Sequence, residues 1–131
     1  MNRHRFISFL VMVAMIVTGL LPAASLAATP AAAPADLLVT FPGNWVNAAG
    51  LGNDWAPDNL ATRASDANSD GVWKFNAPVP AGSYEFKATV GGSWEENYGV
   101  NGVPNGDNVP FTSTGGDVRF YYDRSDNFVA S

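Results

Sequence analysis

No cysteine occurs in the 131 residues, and the single histidine is His4. The first absence excludes disulfide staples and thiol nucleophiles, so a small exported domain must be held by its core alone. The second excludes an imidazole base from everything beyond the N-terminal leader, and catalysis would have to rest on isolated carboxylates. Positive charge is scarce too. With Arg3 and Arg5 set aside as part of the leader, five basic residues remain against twelve acidic ones, which argues against nucleic acid as a partner. There is no helical stripe of apolar residues and no internal repeat.

What is present begins with an export signal. Arg3, His4 and Arg5 form a basic flank, Phe6 to Leu21 are a predominantly apolar run, and "ASLAA" sets small residues before a cut after Ala27. The apolar run falls just short of the ~17–25 residues that span a bilayer, and no polar stop-transfer flank follows. Residues 1–27 are therefore expected to be removed, leaving a secreted or cell-envelope protein with no membrane association; a retained anchor is the alternative. "ATPAAAPA", residues 28–35, offers little to bury and breaks helices, so it reads as a semi-rigid tether. Residues 36–131 make one module with one modest core.

Within the module the period is two. In "SYEFKATV" Tyr84, Phe86, Ala88 and Val90 share one face, with Glu85, Lys87 and Thr89 on a wet one. "DVRFYYD" places Val118, Phe120 and Tyr122 inward and Arg119 and Tyr121 outward. Leu37 to Phe41, Val72 to Ala77, Val109 to Phe111 and Asn127 to Val129 add further short strands between Gly, Pro, Asn and Asp clusters. The expectation is an all-β, immunoglobulin-like antiparallel β-sandwich of about six to eight short strands.

"GGSWEENYGVNG", Gly91 to Gly102, sets a tryptophan among loop residues. A two-residue turn at Gly91-Gly92 would pair Val90 with Ser93, Thr89 with Trp94 and Lys87 with Glu96. Cross-strand partners share a face, so Trp94 would stand on the wet side beside Lys87. A flat aromatic next to long polar side chains suits a pyranose, whose C–H face stacks on the ring while its hydroxyls bond outward. A slip of the turn would instead make Trp94 a cap on the core, and the residues alone leave both readings open.

The run "GVWKFNAPVPAGSYEFKATVGGSWEENYGVNGVPNGDNVPF" resembles the starch-binding-like accessory modules of bacterial pullulanases and amylopullulanases, over roughly Trp55 to Val129. Those modules in turn resemble family 48 carbohydrate-binding modules and the glycogen-binding domain of the AMP-activated kinase β subunit. The resemblance implies sugar contacts from Lys87 and Trp94, from Asn108 before "VPF", and from a second platform at Trp55 in "GNDW". Trp45, in "PGNW", competes for that last role. Trp73 in "VWKF", with Phe75 on the apolar face, is expected to be structural.

Two other motifs have plainer readings. Asp66, Asn68 and Asp70 in "DANSDG" match the opening of a calcium loop, but Ala77 stands where the bidentate Glu belongs, so a turn is the better account. Glu95 and Glu96, adjacent on an extended strand, would point to opposite faces and could not flank one glycosidic bond. The reading is a secreted, monomeric, non-catalytic module that binds α-glucan or maltooligosaccharide without cofactor or metal. The alternatives are a fragment of a pullulanase or α-amylase-type hydrolase, and an Ig-like protein-interaction module.

Overall fold

The computed structural model describes residues 37–131; the leader, its cut after Ala27 and the linker lie outside them. The period-two segments form eight strands, β1 (Val39–Thr40), β2 (Val72–Val79), β3 (Gly82–Phe86), β4 (Ala88–Val90), β5 (Glu96–Tyr98), β6 (Val109–Ser113), β7 (Gly116–Asp123) and β8 (Phe128–Ala130). Every pairing is antiparallel, in the orders β1-β4-β5, β2-β7-β8 and β3-β6. This is the predicted β-sandwich. The helical content of the described residues is two short 3₁₀ turns, Leu60–Thr62 and Val100–Gly102.

The longest ladder joins β2 to β7, from Val72↔Asp123 to Val79↔Gly116. Alternation sends Trp73, Ala77 and Val79 of β2, and Phe120 and Tyr122 of β7, into the core, with Phe75 packed against it. Trp73 is structural as expected, its ring 6.1 Å from Tyr122. Phe120 is the hub where the layers meet. It stacks on Trp45 at 4.5 Å and Phe41 at 5.6 Å, and meets Phe86 and Phe111 edge-on at 5.0 and 5.4 Å. Rings from two sheets and from the segment after β1 thus interlock in the offset and T-shaped arrangements that aromatic quadrupoles favour.

Two expectations about "SYEFKATV" need correction. The segment is one strand in its alternation but not in its partners: β3 pairs with β6, the chain breaks step at Lys87, and β4 pairs with β1 and β5. Nor is Thr89 on a wet face. It is fully buried, because the segment between β1 and β2 covers that side of β4. The hydroxyls of Thr40 and Thr89 lie 2.6 Å apart, and Thr40 Oγ1 donates to the Pro57 carbonyl, so Thr89 supplies the proton between them. A buried hydroxyl must find such a partner or lose its hydration uncompensated.

The same covering segment carries both competing tryptophans. Trp45 has no exposed surface, while Trp55 is half-buried at the surface. Trp45 sits so close to Gly43 that a Cβ there would lie 2.6 Å from its Cδ1, which only glycine tolerates.

Candidate functional site

The site is built by the loop between β4 and β5. Gly91 and Gly92 do turn the chain, at φ of 81° and 73°, but pairing does not resume at Ser93. Val90 faces Glu96, Thr89 faces Asn97 and Ala88 faces Tyr98, so Gly91 to Glu95 form a five-residue loop. The expected pairings of Thr89 with Trp94 and Lys87 with Glu96 are wrong by three residues. Trp94 reaches solvent from the loop, 39% exposed, and not from a strand face.

Its neighbour is Trp55. The two indole centroids are 6.4 Å apart with planes inclined by 40°. Trp55 holds a left-handed backbone, φ 56°, a conformation that is an outlier for a bulky residue, costs about 1–3 kcal/mol and persists only where its surroundings enforce it. They do. Its N–H donates to the Gly43 carbonyl at 3.2 Å, tying it beside β3, where Gly43 bridges to Phe86. The pair is an angled aromatic surface at the protein boundary.

Behind it stands Asn97, a residue the sequence did not single out. Its side chain is 5% exposed and uses both ends. Nδ2 donates to the Trp94 carbonyl at 2.8 Å and to Asn105 Oδ1 at 2.7 Å, while Oδ1 accepts from Lys87 Nζ at 3.0 Å. One buried amide therefore positions both the Trp94 loop and the Lys87 ammonium. We expect Asn97→Ala to cost about 1–3 kcal/mol, because it leaves a carbonyl, an amide and an ammonium without their partner. Asn97→Asp is expected to fail similarly, since a carboxylate keeps the lysine but cannot donate to Trp94. Urea unfolding of the two variants checks this.

Lys87 is half-buried at the break between β3 and β4, its N–H donating to the Pro42 carbonyl at 3.0 Å. Asn108 does not join the Lys87–Asn97 cluster; its Nδ2 donates to Glu85 Oε2 at 3.0 Å, on the outer side of the β3-β6 pair.

The acidic motifs are engaged elsewhere. Both carboxylate oxygens of Asp66 accept backbone N–H groups, from Asp70 and Gly71, each at 3.0 Å. Asp70 accepts from Asn68, Val72 and Lys74. The Lys74 bond leads the causes that hold its carboxyl down at about 2. These bonds build the turn before β2. Glu96 accepts from the Tyr98 hydroxyl at 3.1 Å and lies 3.9 Å from Arg124, while Glu95 is exposed in the loop. Asp123 is likewise held below the usual range by its bonds from Ser125, the direction opposite to a general acid.

The pullulanase X25 domain model matches residues 38–129. The chain belongs to the pullulanase X25 domain family. Relatives include amylopullulanases of Thermoanaerobacterium thermosulfurigenes, 43% identical over 67% of the chain, and of Thermoanaerobacter thermohydrosulfuricus, 41% identical over 69%. The chain spans only 5% and 6% of their lengths. A pullulanase from Bacillus acidopullulyticus has a similar fold, with a TM-score of 0.63 and 29% identity over 72% of this chain and 11% of that one. The X25 segment is thus a small accessory part of large enzymes.

Proposed function

We propose that this X25 module is a non-catalytic, exported binder of α-glucan, with Trp94 and Trp55 as stacking platforms and Lys87 as a hydrogen-bond donor to sugar hydroxyls. The observation that carries the reading is the solvent-facing indole pair, one ring launched from a strained backbone and the other from a loop pinned by a buried amide. Strain held by a surrounding network is a mark of pre-organised sites. The membership of the family in enzymes named for pullulan and amylose chemistry supports the ligand class.

Magnitudes fit a tethered module. If a sugar face and one indole face hide roughly 100 Å² of apolar surface, the gross gain is about 2.5 kcal/mol per platform. Set against an association cost of at least ~4 kcal/mol, two platforms and the Lys87 bond leave at most about 4 kcal/mol, a Kd of roughly millimolar or weaker. Such affinity gains strength when linked to another domain.

The test is affinity electrophoresis in starch gels beside a reducing-sugar assay on pullulan, starch and maltodextrins. The protein should be retarded and should release no sugar. Unretarded migration would sink the binding reading, and turnover lost on changing Glu95 or Glu96 would sink the non-catalytic one.

A further inference from the structure

We infer that the glucan surface does not end at the indole pair but continues into a polar groove on the outer face of β3 and β6, which receives the further residues of a neutral oligosaccharide chain. This rests on the α-glucan reading above and adds a direction and a length to it.

The groove is shallow and open, with a volume of about 450 Å³ between Asn44, Ser83, Glu85 and Thr112. Strand alternation places Ser83, Glu85 and Lys87 on one side of the same chain segment. Across the ladder Ser83 faces Thr112 and Glu85 faces Pro110. From Lys87 to Ser83 the strip runs about 13 Å at ~3.3 Å per residue. Lys87 stands at the junction with the aromatic surface, since its own side chain bonds the amide that holds the Trp94 loop.

The other end of the aromatic surface joins the groove as well. Gly43 accepts from the Trp55 N–H, and the next residue, Asn44, is clamped along Glu85: its N–H donates to the Glu85 carbonyl at 3.1 Å and its Oδ1 accepts the Glu85 N–H at 2.8 Å. That clamp uses the Asn44 carbonyl oxygen and leaves its Nδ2 hydrogens to donate into the groove. Asn108, bonded to Glu85 Oε2 at 3.0 Å, fixes the carboxylate there and so belongs to this groove more than to the indole pair.

The chemistry matches a sugar. A carboxylate acceptor, an amide donor and two hydroxyls that do both can satisfy vicinal hydroxyl groups, which are themselves donors and acceptors. The Glu85 charge disfavours an anionic ligand, and the alternating donors and acceptors around it suit a neutral polyol chain.

Calorimetry of the protein with maltotriose and maltoheptaose tests this, using Glu85→Ala and Thr112→Val at two exposed positions, with melting temperatures recorded to confirm folding. The parent should bind maltoheptaose at least about tenfold more tightly than maltotriose. Glu85→Ala should lose about tenfold for maltoheptaose, one charge-assisted hydrogen bond, and Thr112→Val about threefold, one neutral hydrogen bond, with maltotriose unchanged in both. Equal affinities for the two sugars, or folded variants that bind maltoheptaose like the parent, would overturn the groove while leaving the indole site standing. No binding of either sugar would overturn both.

Discussion

Trp45→Ala should lose about 3–5 kcal/mol of stability, the cost of emptying a fully buried Trp position, in a domain whose total is about 5–14 kcal/mol. The ring has no exposed surface, stacks 4.5 Å from Phe120, and lies 6.2 Å from Phe75 at a tilt of 42°. Removing it opens a void at the hub where the sheets meet. One feature lowers the loss: Trp45 Nε1 is buried without a hydrogen-bond partner, so the native ring already carries an uncompensated donor. Trp45→Phe should therefore cost clearly less than Trp45→Ala, since it keeps most of the ring contact and deletes the unpaired N–H. Urea denaturation of both variants checks the order. If Trp45→Ala unfolded at nearly the parental urea concentration, Trp45 would not be a core residue.

The contrast between Trp45 and Trp55 also shows where sequence reading stops. "PGNW" and "GNDW" are near-equivalent strings, and spacing alone cannot choose between them. The choice is made by contacts distant in sequence: Phe120 captures one ring, and the Gly43 carbonyl with the Trp94 indole holds the other. Alternation was legible because it is local chemistry. It placed Trp73, Phe86, Phe120 and Tyr122 inward correctly, and the sandwich followed. Partner choice was not legible. Nothing in "SYEFKATV" announces that its two halves join different sheets, or that the segment between β1 and β2 will bury Thr89.

The hairpin illustrates the same limit. Both glycines turn as their type suggests, yet Ser93, Trp94 and Glu95 are extruded before pairing resumes, because Asn97 takes the place opposite Thr89 and bonds back to the Trp94 carbonyl. That buried amide could be known only after the register was known. Trp94 is exposed, as the wet-face reading required, but the loop exposes it.

Trp94→Ala should leave folding almost untouched and take most of the glucan affinity with it. The ring is 39% exposed and touches mainly Trp55, so its loss should change stability by less than about 1 kcal/mol. The Asn97 bond goes to the Trp94 backbone carbonyl, which alanine retains, so the loop keeps its anchor. Binding loses one whole platform, about 2.5 kcal/mol of apolar burial, or roughly fiftyfold in Kd. The variant should melt like the parent and run unretarded on starch gels, and maltoheptaose should shift tryptophan fluorescence in the parent alone. Trp55→Gly is the companion test. Glycine accepts the left-handed backbone that tryptophan holds under strain, so part of the packing lost with the ring is returned, and Trp55→Gly should be more stable than Trp55→Ala by about 1 kcal/mol. Both should bind as poorly as Trp94→Ala. A Trp94→Ala protein that unfolds as badly as Trp45→Ala would make the ring a core element, and one that still binds starch at parental strength would leave the indole pair without a ligand role.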